Sequence, residues 1–365
     1  MKTFVIACGG TGGHLSPGIA IAEELIARGH KCVLIISNKN VDQKLCSAYP
    51  QIPFIQFPGI GFPKKMYIWP KFFYLLVKNF IKALQLLKSI KVDAVIGFGG
   101  FTNMGIVSAA TCLKKPCFLH EANQKIGKTI RVLSFIATKI YLPEGIFLKN
   151  ILAQKVRYVG FPLRREIQKI DKTIAREKLK MDPKKKLIVF TGGSQGAKIF
   201  NKWVLENFES LFEYGINIIC LTGIGGQPQT IEKNECKVSF IPFSQKMHLL
   251  FSGADLVIGR AGAGTIAELT QCETPSILIP YPFSAEGHQL ANAIRFEQSG
   301  GCLVLEQVQM YRLKDEIMRL LNESELLKDM SFNLHQLNQD NATQMIADDI
   351  EKTLASKLPK LKLGL

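Results

Sequence analysis

Three glycine-rich stretches of this 365-residue chain sit where a strand would give way to a helix: GGTGGH at Gly9 to His14, GGSQGA at Gly192 to Ala197, and RAGAGTIAE at Arg260 to Glu268. Turns of this kind let bare backbone N–H groups approach an anion, and the positive end of the following helix favours a phosphate there. His14 stands just past the first turn. Imidazole titrates near neutral pH, so His14 suits a general base or a hydrogen-bond donor to a diphosphate. Glu268 offers two oxygens that can accept together from a vicinal diol such as a ribose. Thr265 and Glu268 also have capping-box spacing, which would make that stretch simply a well-closed helix start. The first two turns are equally compatible with tight turns of purely structural use.

A nicotinamide-dependent enzyme is disfavoured. Gly10-Thr11-Gly12 lacks a third glycine at Leu15, and the next strand-like run ends near Ser37 and Asn38 with no Asp or Glu to hold a ribose. No DxD pair lies beside a glycine loop, and His and Cys lack ligand spacing, so neither metal nor cofactor is expected. The adjacent Asp348 and Asp349 read as a solvated helix face. His120 reads as structural, His288 as a neighbour able to orient Gln289, and His30, His248 and His335 as surface or core residues.

The elements that must position these groups alternate strand and helix. Lys2 to Cys8 is a short apolar run, Pro17 to Arg28 has helical spacing, and Cys32 to Ser37, Val92 to Gly97 and Lys115 to Leu119 are again strand-like. The pattern restarts after Val159 to Pro162 with a strand at Leu187 to Thr191 and a helix at Lys198 to Phe212. Further strands follow at Ile216 to Leu221, Val238 to Ile241, Leu256 to Gly259 and Ser276 to Pro280. Alternation at this spacing implies parallel βαβ units. The expected fold class is α/β, with two Rossmann-like domains over residues 1–163 and 164–340 and a cleft between them. Residues 341–365 read as a last helix, Thr343 to Ser356, and a basic tail.

Forty-six Lys and Arg against thirty Asp and Glu leave a net charge of +16, a field that draws the protein towards phosphates. In Phe62 to Ile90, lysines alternate with aromatic and aliphatic residues. They interrupt the segment too often for a spanning helix. A basic, aromatic-rich helix lying on an anionic membrane surface would fit, and so would a core helix with a solvated Lys face. No nucleic-acid reader motif is present, and no nucleic-acid partner is expected. The nine cysteines are scattered without a CxxC pair, and MKTFVIACGG opens as a buried strand rather than a signal peptide, so a reducing, cytoplasmic setting is expected.

GGTGGHLSPGIAIA, HEAN at His120 to Asn123, VGFPLR at Val159 to Arg164, GGSQGA, RAGAGTIAE and the run from Pro280 to Ala293 ending HQLANA follow one another in a fixed order. In that combination the chain resembles the MurG family. The resemblance implies a GT-B fold, with parallel sheets facing an inter-domain cleft. It also implies inverting transfer of N-acetylglucosamine from its UDP donor to the C4 hydroxyl of an undecaprenyl-diphospho-muramyl-pentapeptide, forming a β-1,4 bond at the cytoplasmic face of a bacterial membrane. The acceptor and membrane would lie on the N-terminal side. A related transferase acting on diacylglycerol is the nearest alternative.

By motif position, the resemblance assigns donor contacts from the N-terminal side to Thr11, Gly12, Gly13 and Asn123, and places Arg164 and Ser194 near the nucleotide or diphosphate. It gives loop amides to Ala263, Gly264 and Thr265, the ribose to Glu268, a sugar hydroxyl to Gln289 and uracil to Ser244 through backbone. His14 is the candidate base. Four departures fall on the N-terminal side: Ala122 where Gln is usual, Ile130 and Phe161 where Asn is usual, and Asn103-Met104 in place of Ser and Pro.

Overall fold

The computed structural model describes residues 1–10, 12–59, 61, 63, 65–193, 195–337 and 341–356. Thr11, Phe62, Ser194 and the tail beyond Ser356 lie outside the described residues. The chain divides into two compact units. One holds Met1–Ala122, Ile126–Arg164 and the last helix; the other holds Asn123–Lys125 and the residues from Arg165 up to that helix.

The first unit runs β1 (Thr3–Ala7), α1 (Gly12–Ala27), β2 (Lys31–Ile36), α2 (Asn40–Cys46), β3 (Phe54–Gln56) and α3 (Trp69–Ile90). It continues with β4 (Ala94–Gly97), α4 (Thr102–Cys112), β5 (Cys117–His120), α5 (Lys128–Leu133), β6 (Lys139–Leu142) and β7 (Val156–Tyr158). Its sheet has the order β3-β2-β1-β4-β5-β6-β7, every pair parallel. Phe4, Val5, Ile6 and Ala7 are all buried, as helices on both faces of a parallel sheet require.

The second unit runs α6 (Lys172–Lys178), β8 (Lys186–Thr191), α7 (Lys198–Phe212), β9 (Ile216–Leu221), β10 (Gln229–Lys233), β11 (Cys236–Ile241) and α8 (Met247–Gly253). Then come β12 (Leu256–Gly259), α9 (Ala263–Cys272), β13 (Ser276–Leu278), α10 (His288–Glu297), β14 (Cys302–Val304), α11 (Leu313–Asn322) and α12 (Ser324–Leu337). Its sheet order is β10-β11-β9-β8-β12-β13-β14, parallel except for the β10–β11 hairpin. Strand order reverses between β1 and β4 in one sheet and between β8 and β12 in the other. Ligands of open parallel sheets bind beyond the carboxyl ends of strands at such points.

Two expectations are corrected. The first helix begins at Gly12, five residues before Pro17, so Pro17 lies inside α1 rather than opening it. On the last helix, α13 (Ala342–Ser356), the acidic pair is split: Asp348 is exposed as expected, and Asp349 is not. Asp349 is buried and accepts from the Tyr141 hydroxyl at 3.0 Å and Arg157 at 3.0 Å, with Lys139 at 3.5 Å. Asp348 accepts from Arg28 at 2.6 Å, and Arg28 also donates to Glu24 and Glu351. His30 meets Glu351 at 2.8 Å, and His335 meets Glu273 at 2.7 Å, so neither is an idle histidine. Apart from His335–Glu273, which lies in the second unit, these pairs join α13 to the rest of the first unit.

Helix α3 has one face in the core and another exposed. Phe72, Asn79, Ala83 and Leu87 form a buried stripe, while Phe73, Tyr74, Val77 and Ile81 are exposed beside Lys71, Lys78 and Lys82. Among the described residues no helix is long and apolar enough to cross a membrane. The nine cysteines are free thiols, all but Cys112 buried.

Asp349→Ala would strand the Tyr141 hydroxyl inside the first unit. It is expected to lower unfolding stability by about 1–3 kcal/mol, read as a lower urea midpoint. Most of that loss belongs to the buried hydroxyl, because Arg157 and Lys139 are partly exposed.

Candidate active site

In the first unit the glycine turns after β1 and β4 meet at the order reversal. Thr102 Oγ1 donates to the Gly9 carbonyl at 3.0 Å, tying one turn to the other. His14, in the first turn of α1, rests against both. A methyl at Gly100, whose φ is +75°, would lie 2.8 Å from the Gly9 carbonyl oxygen and 3.4 Å from His14 Nδ1. Only glycine admits this approach. Gly12 is the first residue of α1 and Gly13 the second, Gly13 being exposed, so the start of the helix is accessible.

Beneath this corner lies His120, at the end of β5. It is 2% exposed, its ring 5.4 Å from Phe98 and 6.3 Å from Phe161, with Nε2 3.4 Å from the Gly160 carbonyl. Burial pushes its imidazole down to about 4, the Gly160 contact opposing and the nearby His14 adding to the shift. Arg164 is buried at the end of the unit, and its Nη1 donates to the Tyr49 hydroxyl at 2.9 Å.

In the second unit α9 starts immediately after β12. Gly262 is the N-cap, in extended conformation, and gives no side-chain cap. The first intrahelical bond runs from the Ile266 N–H to the Gly262 carbonyl at 3.0 Å. Ala263, Gly264 and Thr265 therefore fill the positions whose N–H groups precede any intrahelical partner. The capping-box alternative fails, because Thr265 is the third helical residue and not the cap. Glu268 is buried one turn further on, and helical side chains lean towards the N-terminus, which carries its carboxylate towards those amides.

Other assigned residues of this unit make contacts of their own. Gln289, second in α10, accepts from the Tyr281 N–H at 2.8 Å through Oε1, and its own N–H donates to Ser284 Oγ at 3.3 Å. His288 does not orient it; His288 Nδ1 lies 2.6 Å from the Ala285 carbonyl instead. Ser244, after β11, accepts from the Lys246 N–H at 3.1 Å. Asn123 belongs to this unit, where its Oδ1 accepts from Asn292 Nδ2 at 3.2 Å.

Two residues of this unit were not singled out beforehand. Buried Asn292 also donates to the Ala261 carbonyl at 3.2 Å and accepts from the Gln124 N–H at 2.8 Å. Arg260 donates to the Ile279 carbonyl at 3.0 Å and to Gln307 Oε1 at 2.7 Å, with Tyr281 and Phe200 rings beside its guanidinium. Both lie inside the quoted motifs, and their polarity next to strand ends was the available signal. Among the described residues no three His, Cys, Asp or Glu side chains gather as a metal site requires.

The chain matches the glycosyltransferase family 28 N-terminal domain over residues 4–142 and the glycosyltransferase family 28 C-terminal domain over residues 187–350. It is 41% identical, over 96% of its length and 95% of the relative's, to the UDP-N-acetylglucosamine–N-acetylmuramyl-(pentapeptide) pyrophosphoryl-undecaprenol N-acetylglucosamine transferase of Opitutus terrae. It is 33% identical to the Francisella tularensis enzyme of that name, over 98% of this chain and 99% of that one. The crystal structure of Acinetobacter baumannii MurG superposes with a TM-score of 0.74 at 27% identity, covering 96% of this chain and all of that one. The chain belongs to the MurG family. The calicheamicin glycosyltransferase, 14% identical with a TM-score of 0.69 over 98% of this chain and all of that one, shares the fold alone. The fold is GT-B.

Departures from the MurG-family pattern gather around His14 and His120. Phe161 packs edge-on against His120, and buried Ile130 lies near the Gly99 turn. Asn103 is buried and donates through Nδ2 to the Gly99 carbonyl, while Met104 packs into the core. Ala122 gives its N–H to Glu121 at 3.0 Å.

His120 sets a pH dependence. Its ordinary value is 6.5, so the unfolded chain takes up a proton there as pH falls, while the folded chain resists until about 4. The stability of the neutral, buried ring is complete above 6.5 and is lost between 6.5 and 4. Urea midpoints measured across that interval are expected to fall, and the fall should be shallower in His120→Asn.

Proposed function

We propose that this protein is an inverting hexosyltransferase that moves N-acetylglucosamine from UDP-N-acetylglucosamine to the C4 hydroxyl of undecaprenyl-diphospho-N-acetylmuramyl-pentapeptide, in peptidoglycan synthesis. The observation that carries the donor half is the start of α9. Three consecutive helix-start amides without intrahelical partners stand one turn before a buried carboxylate, an arrangement suited to a diphosphate and an adjoining ribose diol. Gln289 serves a sugar hydroxyl, Asn123 the donor, Ser244 the uracil through its backbone, and Arg164 the nucleotide or diphosphate. Thr11 and Ser194, outside the described residues, keep their proposed donor contacts with Gly12 and Gly13.

Transfer requires a base for the incoming alcohol and stabilisation of the departing diphosphate. His14, poised on two glycine turns, takes the proton of the C4 hydroxyl. The amides of Ala263, Gly264 and Thr265 hold the negative charge that develops on UDP, already oriented before the bond breaks. The configuration inverts because the alcohol enters from the side opposite the leaving group.

The lipid acceptor calls for a membrane contact on the cytoplasmic face, and α3 supplies one. Exposed Phe73, Tyr74, Val77 and Ile81 enter the headgroup layer while Lys71, Lys78 and Lys82 meet anionic lipid. Exposed Met66 and Tyr67, just before α3, extend this surface within Phe62–Ile90.

Glu268→Ala is expected to weaken UDP-N-acetylglucosamine binding on the order of tenfold or more in calorimetry, as loss of a charged hydrogen bond implies, with kcat little changed. His14→Ala should instead lower kcat on the order of a hundredfold. Radiolabelled donor offered with the muramyl lipid and, separately, with diacylglycerol should label only the former. Absence of UDP uptake by the folded protein would end this reading.

Replacing Phe73 and Val77 together by Ser is expected to reduce co-sedimentation with anionic vesicles by at least about tenfold, from the apolar area withdrawn. Donor affinity should stay constant. Unchanged sedimentation would rule out α3 as the contact.

A further inference from the structure

Asp42 lies in the first turn of α2, 0% exposed, and the transfer chemistry makes no use of it. Its Oδ2 accepts three hydrogen bonds: from the Gly10 N–H at 3.1 Å, the Ser37 N–H at 3.1 Å and the Ser37 hydroxyl at 2.6 Å. Lys39, from the same loop, donates through Nζ to the Gly10 carbonyl at 2.5 Å and through its N–H to Ser37 Oγ at 3.3 Å. Both polar backbone groups of Gly10 are thus held by the segment joining β2 to α2.

Gly10 needs holding. Its φ of +140° is open to few residues other than glycine, and a methyl there would lie 3.5 Å from His14 Nδ1. With no side chain of its own, the turn takes its orientation from whatever grips its backbone. Desolvating a carboxylate is expensive, and it is tolerated where strong donors converge on it. Here two of the converging donors come from Ser37 and the third is the Gly10 N–H, in the turn that backs His14.

We propose that Asp42, supported by Ser37 and Lys39, is a positioning residue for the transfer: it fixes the Gly10 peptide and, through it, the His14 imidazole and the first turn of α1. The proposal rests on the reading of His14 as the base that meets the acceptor alcohol. Only Oδ2 is engaged; Oδ1 makes no hydrogen bond among the described residues. An Asn at this place, with its oxygen at the Oδ2 position, therefore keeps all three acceptor contacts. This separates a role in geometry from a role in charge.

The test is steady-state transfer to the muramyl lipid, with donor affinity measured by calorimetry, for wild type, Asp42→Ala, Asp42→Asn and Lys39→Ala. Asp42→Ala is expected to lose kcat by about ten- to a hundredfold, the scale of a small misplacement of a catalytic group. Its affinity for UDP-N-acetylglucosamine should fall far less than kcat, because most of the proposed donor contacts, Glu268, Gln289, Ser244 and the start of α9, belong to the other unit. Asp42→Asn should recover most of the loss, and Lys39→Ala should lose about threefold or more of kcat.

Wild-type kcat in Asp42→Ala, an equal loss of donor affinity, or failure of Asp42→Asn to recover activity would each overturn the proposal. Should Asp42→Ala fail to fold, Lys39→Ala decides, since its side chain is exposed: unchanged kcat there would overturn it too. A wild-type protein inactive on the muramyl lipid would instead remove the functional reading beneath it.

Discussion

Helix-start amides that have no partner within their own helix are the constraint around which both units are arranged. Such N–H groups must be satisfied by something, and a bound anion satisfies them best when the backbone is already aimed. Each unit generates an aimed set in the same way. Strand order reverses between β1 and β4 or between β8 and β12, opening a crevice at the carboxyl edge, and a glycine turn delivers α1 or α9 into it. The buried strands beneath act as a stiff mount. Thr102 and Gly9, Asp42 and Gly10, and Arg260 with the Ile279 carbonyl are three versions of one device, a polar side chain that pins backbone at a strand end.

The excess of positive charge is not delivered to the described sites as a cluster of free cations. Arg260, the arginine nearest the start of α9, is committed to two backbone carbonyls and to Gln307. Burial depresses its proton affinity, with Tyr281 opposing. Backbone dipoles such as those at the start of α9 need no reorganisation when charge develops beside them. Lysines such as Lys71, Lys78 and Lys82 lie instead on the exposed surface of α3.

Much of this could be read in advance because it depends on local pattern. Leu187 to Thr191, Lys198 to Phe212 and Ile216 to Leu221 match β8, α7 and β9 within one residue, since buried parallel strands are continuous apolar runs. What escaped depends on distant partners. Pro17 marked a helix start by rule, yet α1 begins at Gly12, because the glycine turn and its clamps let the helix form ahead of the proline. The edge strand β10 is mostly exposed and polar, and its turn uses Asn234 and Glu235 at positive φ rather than a glycine pair. Asp349 looked solvated because Tyr141 and Arg157, which bury and pair it, lie roughly two hundred residues away. Asp42 was passed over for the same reason. Its partner Gly10 is 32 positions distant, and the search for an acidic residue stopped at the end of β2.

The residues that depart from the family pattern fit this mechanical picture better than a chemical one. Phe161 and Ile130 are apolar where amides are usual, and both lie close to the two histidines of the first unit. An amide in either place would offer its own hydrogen bonds to the neighbouring turns. Here the Gly99 turn is held by Asn103 Nδ2, and His120 is enclosed by Phe98 and Phe161 and stays neutral. A neutral, enclosed His120 contributes no second positive charge beside His14. The apolar residues thus leave a corner in the first unit where His14 is backed by glycine backbone and the turns are held by Thr102 and Asn103.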